Sequence, residues 1–97
     1  MNGGMKTLPD AQITDALAAL SGWARAGDEI VKTFDLGTFP AAIAFVVRVG
    51  FLAERADHHP DLDVRWKNVR VALTSHDAGG LTERDFDLAR AIESLGA

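Results

Sequence analysis

Apolar positions recur along the chain with two different periods, and the switches between them divide it into five segments. From Leu8 to Leu20, the residues Ile13, Leu17 and Leu20 fall at i, i+4, i+7, and Pro9 with Asp10 suits a first helical turn, so a short amphipathic helix is predicted. Gly22, which can take a left-handed conformation after the last turn, ends it before Trp23. Between Trp23 and Leu36 the turn signal Ala26-Gly27-Asp28 separates two runs, the second alternating Ile30, Phe34 and Leu36 with polar Thr33 and Asp35. That pattern predicts a β-hairpin. Lys32 shares the parity of the apolar residues and is expected where the strand leaves the core.

Thr38 as N-cap with Pro40 just inside starts the longest helix, predicted to run to about Ala56. At 100° per residue, Phe39, Ile43, Val46, Val47 and Gly50 share one face, taken as the core face, with Glu54 and Asp57 at its C-terminal end. Phe45 and Leu52 lie roughly opposite, beside Ala41 and Arg48, and are expected to form an exposed second stripe that a partner covers. Next come an apolar-containing run from Asp63 to Trp66, a turn at Lys67-Asn68, and Val69, Val71 and Leu73 alternating with Arg70 and Thr74. These predict a second hairpin, with Trp66 in the core. Gly79-Gly80 breaks the chain, and Thr82 begins a last helix with apolar Phe86, Ala89, Ile92 and Leu95, Leu88 beside them. The order α-β-β-α-β-β-α favours an α+β fold, a four-stranded antiparallel sheet with three helices packed on one face. Residues 1–97 are read as a single domain, with 1–7 as a flexible N-terminal extension.

Composition narrows the function classes. Ninety-seven residues leave no room for separate cofactor and substrate lobes. Ten Lys and Arg against fourteen Asp and Glu, with no basic run, argue against direct nucleic-acid contact. The absence of cysteine excludes a disulfide framework, an iron-sulfur cluster, a thiolate zinc site and a cysteine nucleophile. Met1 to Lys6 shows no charged start followed by an apolar region, and the longest apolar stretch, Pro40 to Val47, is far short of the roughly 20 residues of a membrane helix. A cytoplasmic protein without membrane contact is expected.

The chemistry concentrates in one place. His58, His59 and His76, all the histidines of the chain, lie in a short window, two in a loop after the long helix and one after the last strand. Loops held by a rigid scaffold are where binding groups gather. Taken alone, an adjacent His pair in a loop is more often surface decoration or helix capping than catalysis. Thr82-Glu83-Arg84-Asp85 has capping-box spacing, so local helix chemistry could by itself explain Asp85. Glu54 and Asp57 are acids at a helix C-terminus, mildly unfavourable with its dipole. Three histidines with Asp57, Asp77 or Asp85 could number enough ligands for a metal, but the short His spacing of common zinc sites is missing. Ser21, Ser75 and Ser94 lack a nucleophile-elbow setting, and no phosphate-cradling glycine loop is present.

The run Glu54-x3-His58-His59-Pro60-x5-Trp66-x9-His76-x8-Asp85 closely resembles the signature of the pterin-4a-carbinolamine dehydratases, members of which also serve in animals as dimerisation cofactors of a homeodomain transcription factor. The likeness extends more loosely through Trp23, Ile30, Lys32, Phe34, Phe39 and Arg48. Two departures stand out: Ser75 where many members have Thr before the third histidine, and Lys67 between Trp66 and Asn68. The resemblance implies dehydration of a 4a-hydroxytetrahydropterin in pterin recycling by histidine acid–base catalysis, with no metal and no organic cofactor. By the same resemblance His58, His59, Pro60, Ser75, His76, Asp77 and Ala78 line the substrate pocket. His59 and His76 are then the principal proton-transfer groups, His58 an assisting acid, and Glu54, Asp57 and Asp85 orient an imidazole or raise its pKa. It further implies a homodimer or homotetramer through the long helix, with Phe45 and Leu52 in the interface, and an aromatic amino-acid hydroxylase as a pathway neighbour. An interaction module with a vestigial pocket, or activity on another pterin-type compound, is the competing reading.

Overall fold

A computed structural model describes residues 6–97. Among them run α1 (Asp10–Ala18), β1 (Ala24–Ala26), β2 (Glu29–Asp35), α2 (Phe39–Ala56), β3 (Asp61–Arg65), β4 (Asn68–Leu73) and α3 (Glu83–Glu93), the α+β order that the periodicity predicts. The expected N-terminal extension lies outside the described residues over 1–5; Leu8 already belongs to the fold, its N–H donating to Leu81 O at 2.9 Å.

The four strands form one antiparallel sheet in the order β1-β2-β4-β3. The chain leaves β2, crosses through α2, enters at the far edge as β3 and returns beside β2 as β4. One consequence of this route matters for function. Asp61 pairs with Ala72, so the residues that precede β3 lie alongside those that follow β4. The two histidine-bearing loops are thereby brought to one end of the sheet.

Cross-strand partners Ile30 and Leu73, Lys32 and Val71, and Phe34 and Val69 line the inner face of the sheet. Five of these six are buried and join Ile13 of α1, Phe45 and Val49 of α2, and Phe86 and Ile92 of α3 in one cluster, so the helices cover this face. Phe34 sits at its centre, its ring centroid 4.8 Å from that of Phe45 and 6.1 Å from that of Trp23. Lys32 keeps the inward parity by neutralisation. Its Nζ donates to Glu93 Oε2 at 2.7 Å and to Ser21 O at 3.0 Å, and lies 4.7 Å from the Phe34 ring centroid. Trp23 Nε1 donates to the same Glu93 oxygen at 2.9 Å, so the carboxylate ties α3 to β2 and to the segment before β1.

Two expectations are corrected here. The inner stripe of α2 is Ala42, Phe45, Val49 and Ala53; of the stripe taken for the core, Phe39, Ile43, Val47 and Gly50, continued by Phe51, face outward, and Val46 is half-buried against the core. Phe45 is 2% exposed within a single chain and therefore cannot lie in an oligomer interface; Leu52 is half-buried between α2 and α3. Small Ala42 and Ala53 let the helix approach the sheet, and Phe45 fills the gap between them. Apolar periodicity marks two stripes without saying which meets the sheet, and the larger side chains are on the outer one. Trp66 is likewise 69% exposed. It occupies the first position of the two-residue β3–β4 turn with φ 52°, one residue earlier than the predicted turn, and Lys67 Nζ lies 5.1 Å from its ring centroid.

Candidate active site

The last turn of α2 and the first turn of α3 build the site from opposite sides. Asp57 ends α2 in the left-handed conformation, φ 50°, and its N–H reaches Ala53 O and Glu54 O. That turn reverses the chain, and His58 N–H closes it by donating to Ala53 O at 3.1 Å. His58 is thus folded inward, 8% exposed, while His59 points out with its side chain 61% exposed.

On the other side, β4 ends in a tight loop in which Ser75 O accepts from Ala78, Gly79 and Gly80 N–H. Gly79 has φ 79°, a conformation L side chains rarely adopt, and at Gly80 a Cβ would lie 3.2 Å from Thr7 Cγ2. The loop leads into Thr82, the N-cap of α3, and the capping box expected from Thr82-Glu83-Arg84-Asp85 forms: Thr82 Oγ1 accepts from Arg84 N–H and Asp85 Oδ2 accepts from Thr82 N–H at 2.9 Å.

Asp85 does more than cap. It is fully buried, its Oδ1 lies 2.6 Å from His58 Nε2, and its Oδ2 accepts from Ser75 Oγ at 2.9 Å. The carboxylate therefore joins the helix N-terminus to both histidine loops. His59 Nε2 contacts Glu54 Oε1 at 3.0 Å, and both groups are open to solvent.

These elements surround a cleft of about 290 Å³ lined by Asp57, His58, His59, Thr74, His76, Asp77 and Arg84. All three histidines and two of the expected acids thus meet at one opening. Glu54 and Asp85 lie behind His59 and His58. Pro60, Ser75 and Ala78 do not line the cleft; Ser75, expected to touch substrate, is 1% exposed and buried behind Asp85. Glu54 and Asp57, expected at the edge of the core, are exposed because the faces of α2 are exchanged.

Thr74 and Arg84 were not anticipated. Arg84 Nη2 donates to Asp57 O at 2.6 Å and Nη1 lies 3.5 Å from Asp77 Oδ2, so one guanidinium spans both histidine loops. Its position two residues after the N-cap was the available signal, since the first turn of α3 was already placed beside the cleft by Asp85. Behind His58 and Arg84 lies a mainly apolar recess of about 260 Å³ between α2 and α3, and this recess accounts for the half-burial of Leu52.

Chemically the cleft offers three imidazoles, side chains that can donate or accept a proton, one of them oriented by a buried carboxylate. Among the described residues no group of three or more His, Asp or Glu side chains is arranged to hold a metal ion. No helix among them is long and apolar enough to cross a membrane.

Comparison with known proteins identifies the family. Residues 6–95 match the family model described as pterin 4 alpha carbinolamine dehydratase. A candidate pterin-4-alpha-carbinolamine dehydratase of Roseiflexus sp. (strain RS-1) is 60% identical over 88 residues, covering 91% of this chain and 95% of its own. A similarly named protein of Nocardia farcinica is 57% identical over 88 residues, covering 91% of this chain and 93% of its own. The crystal structure of a transcriptional coactivator/pterin dehydratase from Brucella melitensis superposes with a TM-score of 0.90 at 30% identity, covering 95% of this chain and 100% of that one. With the family model spanning nearly the whole sequence and close relatives matched end to end, the chain belongs to the pterin-4a-carbinolamine dehydratase family, a family of hydro-lyases.

Proposed function

We propose that the protein dehydrates a 4a-hydroxytetrahydropterin to the quinonoid dihydropterin and water, with the histidine cleft as its active site. The observation that carries this reading is the meeting of His58, His59 and His76 at one cleft, with Asp85 buried behind His58. In the reaction the N5 lone pair forms the C4a=N5 bond as the C4a–O bond breaks. The departing hydroxyl takes a proton from an acid and leaves as water, and N5 gives its proton to a base. Two positioned imidazoles supply both transfers, each worth typically about 10²–10⁴-fold.

Burial and support shift weight among the histidines. His58 is held by a short contact to a carboxylate that is itself fixed by the α3 cap, whereas His59 is exposed with an exposed partner. His58 is therefore assigned one principal transfer; His76, exposed like His59, is assigned the other because it stands on the opposite loop, and His59 with Glu54 assists or serves the other C4a stereoisomer. Arg84 holds the two loops at their separation.

The test is the rate of dehydration above the spontaneous reaction, followed by ultraviolet absorbance. His58→Ala and His76→Ala are each expected to lose about 10²–10⁴-fold while remaining folded. A wild-type protein that gives no acceleration sinks the activity, and histidine variants at wild-type rate sink the assignment of roles.

The protein is further proposed to self-associate. Phe39, Ile43, Val47 and Phe51 follow one another at i+4 spacing down α2, 41% to 71% exposed, a contiguous apolar stripe that a second copy of the chain would cover. This stripe replaces Phe45 and Leu52 as the expected contact.

A further inference from the structure

The direction of every hydrogen bond behind His58 can be worked out by counting protons. Ser75 has one hydroxyl proton, and Asp85 Oδ2 at 2.9 Å receives it, since an ionised carboxylate is acceptor only. The Ser75 Oγ to Thr82 Oγ1 contact of 2.8 Å must then be donated by Thr82. Thr82 Oγ1 in turn accepts from Arg84 N–H at 3.2 Å. The hydroxyls thus form a one-way chain, Arg84 N–H to Thr82 to Ser75 to Asp85, and Thr82 N–H adds a second donor on the same Oδ2 at 2.9 Å. All four participating polar side chains, Ser75, Thr82, Asp85 and His58, are buried.

With Oδ2 saturated by two donors, Oδ1 is left for His58 Nε2, 2.6 Å away. A carboxylate can only accept there, so Nε2 carries a proton, and in the neutral ring Nδ1 keeps its lone pair. Among the described residues no buried side-chain nitrogen or oxygen lacks a partner, and the His58 ring bonds through Nε2, so Nδ1 reaches open space. His58 lines both the cleft and the recess behind it, and Nδ1 is its unbonded ring nitrogen.

We propose that Ser75 is a positioning residue: its hydroxyl, fed by Thr82, supports the buried Asp85 as an unprotonated carboxylate and thereby holds His58 as the Nε2–H tautomer, with Nδ1 presented to the substrate. Ser75 acts through Asp85 and touches no reacting atom. The assignment also accounts for the serine at a position where many family members carry threonine. Either hydroxyl can pass on the proton from Thr82, and neither is needed as a substrate contact. The catalytic part of this inference rests on the proposed dehydratase reaction; the tautomer does not.

The experiment is nitrogen-15 NMR of the His58 ring at a pH where the ring is neutral, together with steady-state kinetics, on wild type, Ser75→Ala and Ser75→Thr. Wild type should show a single Nε2–H tautomer; an Nδ1–H ring in the wild type overturns the proposal without recourse to any variant. Ser75→Ala leaves the Thr82 hydroxyl without its acceptor and Oδ2 with one donor, so the buried carboxylate can bind a proton and donate it from Oδ1 to His58 Nε2, with the ring proton then on Nδ1. It should give a mixture of tautomers and a kcat lower by about tenfold or more, at the low edge of a general acid–base contribution, with KM changed less than about twofold. Ser75→Thr should restore both. A Ser75→Ala protein that keeps the single Nε2–H tautomer overturns the proposal, whether its rate is unchanged or reduced, because the residue then acts only on stability. If wild type lacks dehydratase activity, the proposed reaction fails, and the tautomer measurement still decides the role of Ser75.

Discussion

Replacing Phe45 by alanine removes the side chain that joins α2 to the sheet. The ring is 2% exposed and packs 4.8 Å, centroid to centroid, from Phe34 at an interplanar angle of 43°. A core Phe→Ala change costs about 3–5 kcal/mol, within which a tilted aromatic pair accounts for about 0.5–1.5 kcal/mol. Against a typical domain stability of about 5–15 kcal/mol, that is a large share. At roughly 4–8 °C per kcal/mol for a chain of this length, Tm should fall by about 12 °C or more. Phe51 is the matched control, equally large but 71% exposed, and Phe51→Ala should stay within about 0.5 kcal/mol in the monomer. Urea unfolding can be followed by tryptophan fluorescence, because Trp23 is buried against Phe34 while Trp66 is already exposed and changes little. Each variant should be measured at two protein concentrations, since stability that comes from a second copy varies with concentration and stability from the core does not. A Phe51→Ala loss as large as that of Phe45→Ala, in a sample whose mass is that of one chain, would refute the assignment of faces.

Three further outcomes are expected. In Asp85→Asn the amide oxygen must face the two donors from Ser75 and Thr82, which turns the amide NH2 toward His58 Nε2 and moves the ring proton to Nδ1. Activity should fall by about 10²–10⁴-fold while stability falls by about 1–2 kcal/mol, and equal modest losses in both would mean that Asp85 is only a cap. Val47→Glu combined with Phe51→Glu should reduce the mass measured by light scattering to that of one chain; an unchanged mass sinks the proposed self-association surface. The Asp35 carboxyl is held below its ordinary value, chiefly by the Gly37 N–H at 2.9 Å, with desolvation opposing and Lys67, 3.3 Å away, adding to the lowering. Its folded pKa lies below the unfolded one, so its contribution to stability is present above the unfolded pKa and is lost as pH falls through the folded pKa. A carboxyl NMR titration that places Asp35 at or above the ordinary aspartate value contradicts this.

The parts of the fold written in local chemistry were legible in advance. Thr38 and Thr82 start their helices as N-caps, Gly27 sits in the β1–β2 turn, and alternation along β2 and β4 marks the residues that face the helices. These features depend on neighbours a few residues away, and periodicity reports such neighbours directly. The histidine signature was legible for a different reason. Its spacing is fixed by two loops that must meet, and the antiparallel register that pairs Asp61 with Ala72 brings them together.

The two faces of α2 were not legible, because both stripes are apolar and the helix period is the same for each. The choice between them depends on how closely α2 approaches the sheet, a distance set by Ala42 and Ala53 meeting side chains far away in the chain. Trp66 reads as core by composition, but its place in a two-residue turn projects it into solvent. The same limit governed the site. From the residues alone Asp85 is a cap; the resemblance adds that it orients an imidazole, without saying which, and makes Ser75 a substrate contact. Only the packing of α3's first turn against both loops makes Asp85 the buried partner of His58 and places Ser75 behind it, because burial and a hydrogen bond across 27 residues are properties of the folded chain.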